Sequence, residues 1–173
     1  MDYIVSGKAW VFGSNVNTES IMATGTDFNP EIAAETCLSF YDPEFPKGVA
    51  PGDIVVAGNN FANSSSRPAG KVFKYLGVSA IICDSCARIF FRNTWNIGVP
   101  VLECPGITDM VSKGDDIVVN VETGEIKNLS TGKTTRSGNT IEILLERWRA
   151  GGMIEWVKKN RNLYDTLEQE VSK

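Results

Sequence analysis

Three short aliphatic runs set the frame for everything else in this chain. They are DIVVAG (53–58), SAIIC (79–83) and VPVLEC (99–104). Each has the length and the β-branched content of a strand buried on both faces. Between them lie PAGKVFKYLG (68–77) and ARIFFRNTWNIG (87–98), which read as helices. Gly77 suits a helix stop, and Ile89, Phe90 and Trp95 are expected to face inward. Strand, helix, strand, helix, strand at these lengths makes βαβ units with right-handed crossovers and a mainly parallel sheet. The fold class expected is α/β.

The flanks add to this frame. KAWVF (8–12) reads as an opening strand, and NVNTESIMATGTDFN (15–29) as an irregular polar stretch. Asn29-Pro30-Glu31 resembles a helix start, with Asn as cap and Pro in the first turn. Ile32, Ala33, Cys37 and Leu38 form its expected buried side. DPEFPKGVAPGD (42–53) is a turn-rich connection. DDIVVNVETGEIKNL (115–129) alternates around Thr123-Gly124 as a hairpin does. NTIEILLERWRAGG (139–152) is an amphipathic helix, with Ile141, Leu144, Leu145 and Trp148 on one face. Asn139 and Glu142 resemble a capping box, and Gly151-Gly152 ends the pattern. A single domain over 1–173 with a polar tail from 158 is expected, without internal repeats.

Charge and residue types exclude several functions. The chain has a net charge of −4, so it lacks the basic face of a non-specific nucleic-acid binder. No apolar run approaches the ~20 residues of a membrane span. The opening MDYIVSGKAW lacks the basic start and apolar core of a signal peptide, so a cytoplasmic setting is expected. There is no histidine, which removes Ser-His-Asp triads, Cys-His dyads and His-bound zinc. Cys37, Cys83, Cys86 and Cys104 include one C-x-x-C, but a tetrahedral site needs four ligands. They read as ordinary thiols, and no metal is expected on this chain. A C-x-x-C redox protein is a competing reading, which requires a depressed thiol at Cys83 or Cys86.

In open parallel sheets, ligands bind beyond the carboxyl ends of the strands. NNFANSSSR (59–67) and DSCAR (84–88) leave two of those ends. Ser64 to Arg67 and Arg88 are therefore candidates to face one crevice. An arginine there can hold a carboxylate through two parallel hydrogen bonds. The bland alternative is that Ser66 or Arg67 caps the next helix and Arg88 is a surface residue. The loop is neither a Walker A motif nor a dinucleotide fingerprint.

AWVFGSNVNTESIM, DPEFPKGVAPGDIVVAGNNF, SSSR, ARIFFRNTWNIGVPVLE and AGGMIEWVKK follow one another in order. Taken together they resemble the small subunits of 3-isopropylmalate dehydratase and the swivelling domain of aconitase. The resemblance covers the chain to about residue 159. It implies a swivelling β/β/α domain and a large partner subunit that carries a [4Fe-4S] cluster on its own cysteines. It implies a hydro-lyase that dehydrates or isomerises a 2-hydroxy dicarboxylic acid. By that match Ser65 is the catalytic base and Arg67 grips a substrate carboxylate, with Ser64 and Ser66 beside them. Thr18 and Glu19 fall on the family's Asp-Thr-Asp motif, with Glu19 for one Asp and Asn17 for the other.

The chain also departs from the family pattern. Ser64 stands where the family has Gly, and Pro68-Ala69-Gly70 where it has Glu-His-Ala. The substrate-reading stretch here is ATGTDFN (23–29), with Thr26 and Asp27 and no arginine. A third carboxylate would lack its partner there, so an alkyl-malate is expected rather than citrate. A non-catalytic, carboxylate-binding regulatory domain of the same fold is the competing reading.

Overall fold

The computed structural model describes residues 3–23, 25, 27–64 and 67–161. β1 (Ile4–Phe12) is followed by three short helices, α1 (Thr18–Ile21), α2 (Pro30–Ala34) and α3 (Phe45–Gly48). The parallel units come next: β2 (Ile54–Ala57), α4 (Gly70–Tyr75), β3 (Ala80–Cys83), α5 (Arg88–Asn96) and β4 (Val101–Glu103). The chain then forms β5 (Asp116–Asn120), β6 (Glu125–Asn128), β7 (Thr134–Arg136), α6 (Glu142–Ala150) and α7 (Met153–Lys159).

The seven strands make one sheet in the order β4-β3-β2-β1-β5-β6-β7. Every residue of β2 and β3 is buried, as expected for parallel strands covered on both faces. β1 joins two kinds of sheet. Ala9–Phe12 pair in parallel with Ile54–Ala57, while Ile4–Lys8 pair antiparallel with the residues of β5. The switch occurs beside Gly7, where an added Cβ would sit 2.2 Å from the Gly52 carbonyl oxygen. Only a residue without a side chain permits that backbone approach.

The sheet curls until its two ends meet, and Cys104 Sγ lies 3.8 Å from Thr135 Oγ1. Trp95 fills the core under β4 and donates its indole N–H to the Val101 carbonyl at 2.9 Å. Phe61, Phe73 and Phe90 meet mostly edge to face, at 5.5 to 6.3 Å. That cluster ties the loop after β2 to both α4 and α5.

β7 lies outside what the sequence led us to expect. Its residues, Thr134, Thr135 and Arg136, carry no apolar signal. Its position is set by the second of two matching turns. Asn120-Val121-Glu122-Thr123-Gly124 and Asn128-Leu129-Ser130-Thr131-Gly132 are a short repeat. Asn120 Oδ1 accepts from the N–H groups of Glu122 and Thr123, and Asn128 Oδ1 from those of Ser130 and Thr131. Each glycine N–H then donates to the carbonyl of its own asparagine at 2.8 Å, with φ of +74° and +76°.

Other expectations are corrected in detail. Ile32, Ile89 and Ile141 are exposed rather than inward. NTES is not irregular, because Asn17 caps α1 by accepting from the Ser20 N–H. Asn139 does not cap α6. It accepts from Arg136 Nη2 instead, and the helix starts after Ile141 with no side-chain cap. The stops at Gly77 and Gly151 hold, with φ of +75° and +94°. Residues 162–173 of the expected polar tail lie outside the described residues.

Candidate active-site edge

The carboxyl ends of β1, β2, β3 and β4 all open on one edge of the sheet. The loops that leave them keep the strands' parallel order past the sheet. Asn15 N–H donates to the Asn59 carbonyl, and Asn63 N–H to that of Val16. On the other side Phe61 N–H donates to the Ser85 carbonyl, and Ala87 N–H to that of Phe61. Side chains add cross-links. Asn60 Nδ2 donates to Asn15 Oδ1 at 3.0 Å, Asn60 N–H to Ser85 Oγ, and Cys86 N–H to Glu103 Oε1.

This arrangement carries unusual backbone. Asn60, Ala62 and Ser64 all have positive φ, at 57°, 53° and 64°. Non-glycine residues in that region are strained, and such strain concentrates at functional loops. The value at Ser64 also gives a physical account of the glycine found there in the family pattern.

Thr18, Glu19, Ser64 and Arg67 come together on this edge. Thr18 is 2 % exposed, and its Oγ1 donates to the Ser64 carbonyl at 2.7 Å. Its backbone N–H donates to the Asn63 carbonyl at 2.9 Å. Arg67 is largely buried, and its Nη1 donates to the Met22 carbonyl at 3.2 Å. Its Nη2 lies 3.8 Å from Glu19 Oε1, an ion pair too long for a hydrogen bond. The buried cation is thus held from the α1 side, next to the loop residue on which Ser65 follows. Ser65, Ser66 and Thr26 lie outside the described residues.

Arg88 stands elsewhere on the edge. Among the described residues, the recess it lines also includes Cys86, Phe91, Arg92 and Glu103, and not Ser64 or Arg67. Asp27 is exposed, with φ of +48°. Neither Ser66 nor Arg67 is the cap residue of α4. That position is Ala69, without a side-chain hydrogen bond, and the helix is only six residues long. Pro68 opens a preceding turn, its carbonyl accepting from Lys71 N–H. The helix dipole therefore has little to offer an anion here.

Cys37, Cys83 and Cys104 are buried. A hydrogen bond with Cys86, then burial, push the Cys83 thiol far up, so Cys83 is not the depressed thiol that the redox reading requires. Among the described residues, no group of three or more Cys, Asp or Glu side chains is arranged to hold a metal ion.

Comparison with known proteins agrees with this geometry. Residues 11–106, from mid-β1 to the turn after β4, match the Aconitase C-terminal domain family. That span holds all four loops of the edge. The isopropylmalate/citramalate isomerase small subunit of Methanocaldococcus jannaschii is 44% identical over 164 residues, covering 92% of this chain and 96% of that one. The 3-isopropylmalate dehydratase small subunit of Thermodesulfovibrio yellowstonii is 37% identical, covering 93% and 98%. A crystal structure of 3-isopropylmalate dehydratase from Methanocaldococcus jannaschii superposes with a TM-score of 0.83 at 33% identity, covering 94% of this chain and 98% of that one. The chain belongs to the aconitase family, among the small subunits of 3-isopropylmalate dehydratases.

Proposed function

We propose that this chain is the loop-bearing half of a cytoplasmic, two-subunit hydro-lyase acting on a 2-hydroxy dicarboxylic acid such as isopropylmalate or another alkyl-malate. The observation that carries the reading is the meeting of Thr18, Glu19, Ser64 and Arg67 at the carboxyl edge, around the point where Ser65 and Ser66 follow in the chain.

Ser65 takes the proton next to the substrate carboxylate, and Arg67 binds that carboxylate in competition with its long pair to Glu19. Ser66 adds a hydroxyl contact. Thr18 positions the loop through the Ser64 carbonyl rather than touching the substrate. A serine base must be stabilised as it ionises, and a buried guanidinium one residue beyond Ser66 supports that. The chain's own side chains do not fit an iron–sulphur cluster, since among the described residues no three or more thiols or carboxylates gather to hold a metal. The reading therefore assigns the [4Fe-4S] cluster to the large subunit, where a Lewis-acidic iron supplies charge stabilisation at the leaving hydroxyl.

The substrate assignment rests on ATGTDFN (23–29), whose only charged residue is the exposed Asp27. A third carboxylate finds no cation there. Turnover of citrate at a rate like that of alkyl-malates by the reconstituted complex would overturn this assignment. The catalytic assignment is tested by Ser65→Ala in the same complex. It should retain its subunits and iron and lose roughly 10²- to 10⁴-fold in turnover, the range of a lost general base. Unchanged activity would remove Ser65 from the mechanism.

A further inference from the structure

The outer face of α5 is built unlike a solvated helix surface. Phe90, Thr94 and Trp95 turn into the core. On the other side Arg88 and Arg92 stand one helical turn apart, both exposed, and neither has an ion pair or hydrogen bond among the described residues. Ile89 beside them is 44 % exposed. Arg88, Arg92, Cys86, Phe91 and Glu103 enclose a recess of about 400 Å³. Glu103 also faces it. Its Oε1 is engaged by the Cys86 N–H, and it forms no salt bridge with either arginine. The recess therefore holds two positive charges against one negative, on a chain whose net charge is −4.

Position matters as much as charge. Arg88 directly follows Ala87, whose N–H is bonded to the Phe61 carbonyl of the loop that leads to Ser64. The recess thus shares the carboxyl edge with the candidate site and is rigidly tied to it. A partner that covers this edge reaches the first turn of α5. Arginine and aromatic side chains around an exposed aliphatic residue are the composition of interface anchor points.

We propose that the outer face of α5, with Arg88, Ile89 and Arg92, is a docking surface for the large subunit, and that an acidic side chain of that subunit seats between the two guanidiniums. This rests on the two-subunit reading above. The contact registers the Ser64–Arg67 loop over the partner's cleft, and it gives Arg88 a role in assembly rather than in holding substrate.

The test is the dissociation constant between this chain and the large subunit from the same organism, measured by calorimetry for wild type, Arg92→Glu and Arg88→Glu/Arg92→Glu. Lys127→Glu, an exposed charge reversal on β6, serves as control. Unfolding curves confirm that each variant folds. The double variant should bind about tenfold or more weakly at low salt, with the gap closing as salt is raised. Arg92→Glu should weaken binding less and keep the substrate KM of the saturated complex. Wild-type affinity in the double variant overturns the proposal. So does a raised KM with unchanged affinity, which returns the recess to the substrate. If the wild-type chain itself fails to bind the large subunit, the two-subunit reading falls as well.

Discussion

Thr18→Val isolates the bond on which the site loop depends. Valine keeps the β-branched shape and the burial of Thr18, so packing is preserved. What is lost is the donor to the Ser64 carbonyl at 2.7 Å. Ser64 is exposed, so water replaces part of that bond, and the net cost falls near the middle of the usual range, about 1 kcal/mol. In a domain of this size that lowers Tm by roughly 2–4 °C. The same bond opposes the left-handed strain at Ser64, itself about 1–2 kcal/mol for a residue with a Cβ. Losing about 1 kcal/mol of restraint shifts the loop's conformational ratio roughly fivefold. Turnover of the reconstituted complex should fall by about that factor, with bound iron unchanged. Thr18→Ser, which retains the hydroxyl, should restore it. Thermal unfolding of the isolated chain and steady-state kinetics of the complex give the two readouts. Wild-type turnover in Thr18→Val, or equal damage in Thr18→Ser, would refute the argument.

Four further outcomes are expected. Ser64→Gly relieves the positive φ, so added to Thr18→Val it should recover part of the lost turnover, whereas a further loss would show that the serine side chain itself is needed. Gly7→Ala places a Cβ against the Gly52 backbone and should cost about 3 kcal/mol or more, read as a Tm drop of roughly 10 °C; a smaller drop would mean that β1 and the turn before β2 can part freely. Finally, the native chain should expose one thiol, Cys86, to a water-soluble disulfide reagent, and four after denaturation. Burial holds the Cys37 and Cys104 thiols above the ordinary value of 9.0, and the Cys86 hydrogen bond with burial does so for Cys83. The folded chain then keeps protons that the unfolded chain releases. This contribution to stability is complete below about pH 9 and is lost as pH rises beyond it. A flat stability curve from pH 8 to pH 11 would contradict this.

The parallel half of the fold was legible because β2 and β3 are buried on both faces and β4 is buried at Val101 and Leu102, so they read as plain aliphatic runs. The first half of β1 was not, since Gly7 and Ser6 interrupt its pattern for the sake of a backbone approach that only the folded sheet reveals. β7 was hidden by its polar edge composition, although the repeated Asn-x-x-Thr-Gly turn was a usable signal. Ile32, Ile89 and Ile141 misled because periodicity identifies an apolar face without saying whether this chain or another covers it. At the site, the resemblance pointed to Thr18, Glu19, Ser64 and Arg67. Spacing alone could not pair Thr18 with a carbonyl 46 residues away, nor separate Arg88 from Arg67.

The main-chain bonds that run on past the sheet have a mechanical meaning. The segment before Ser64 is clasped between Asn15 to Val16 on one side and Ser85 to Ala87 on the other. Those neighbours lie just beyond the ends of β1 and β3. The described part of the loop, residues 59–64, is thus held on both sides by main-chain hydrogen bonds. On the two-subunit reading proposed above, substrate access would then depend on how far the two subunits part.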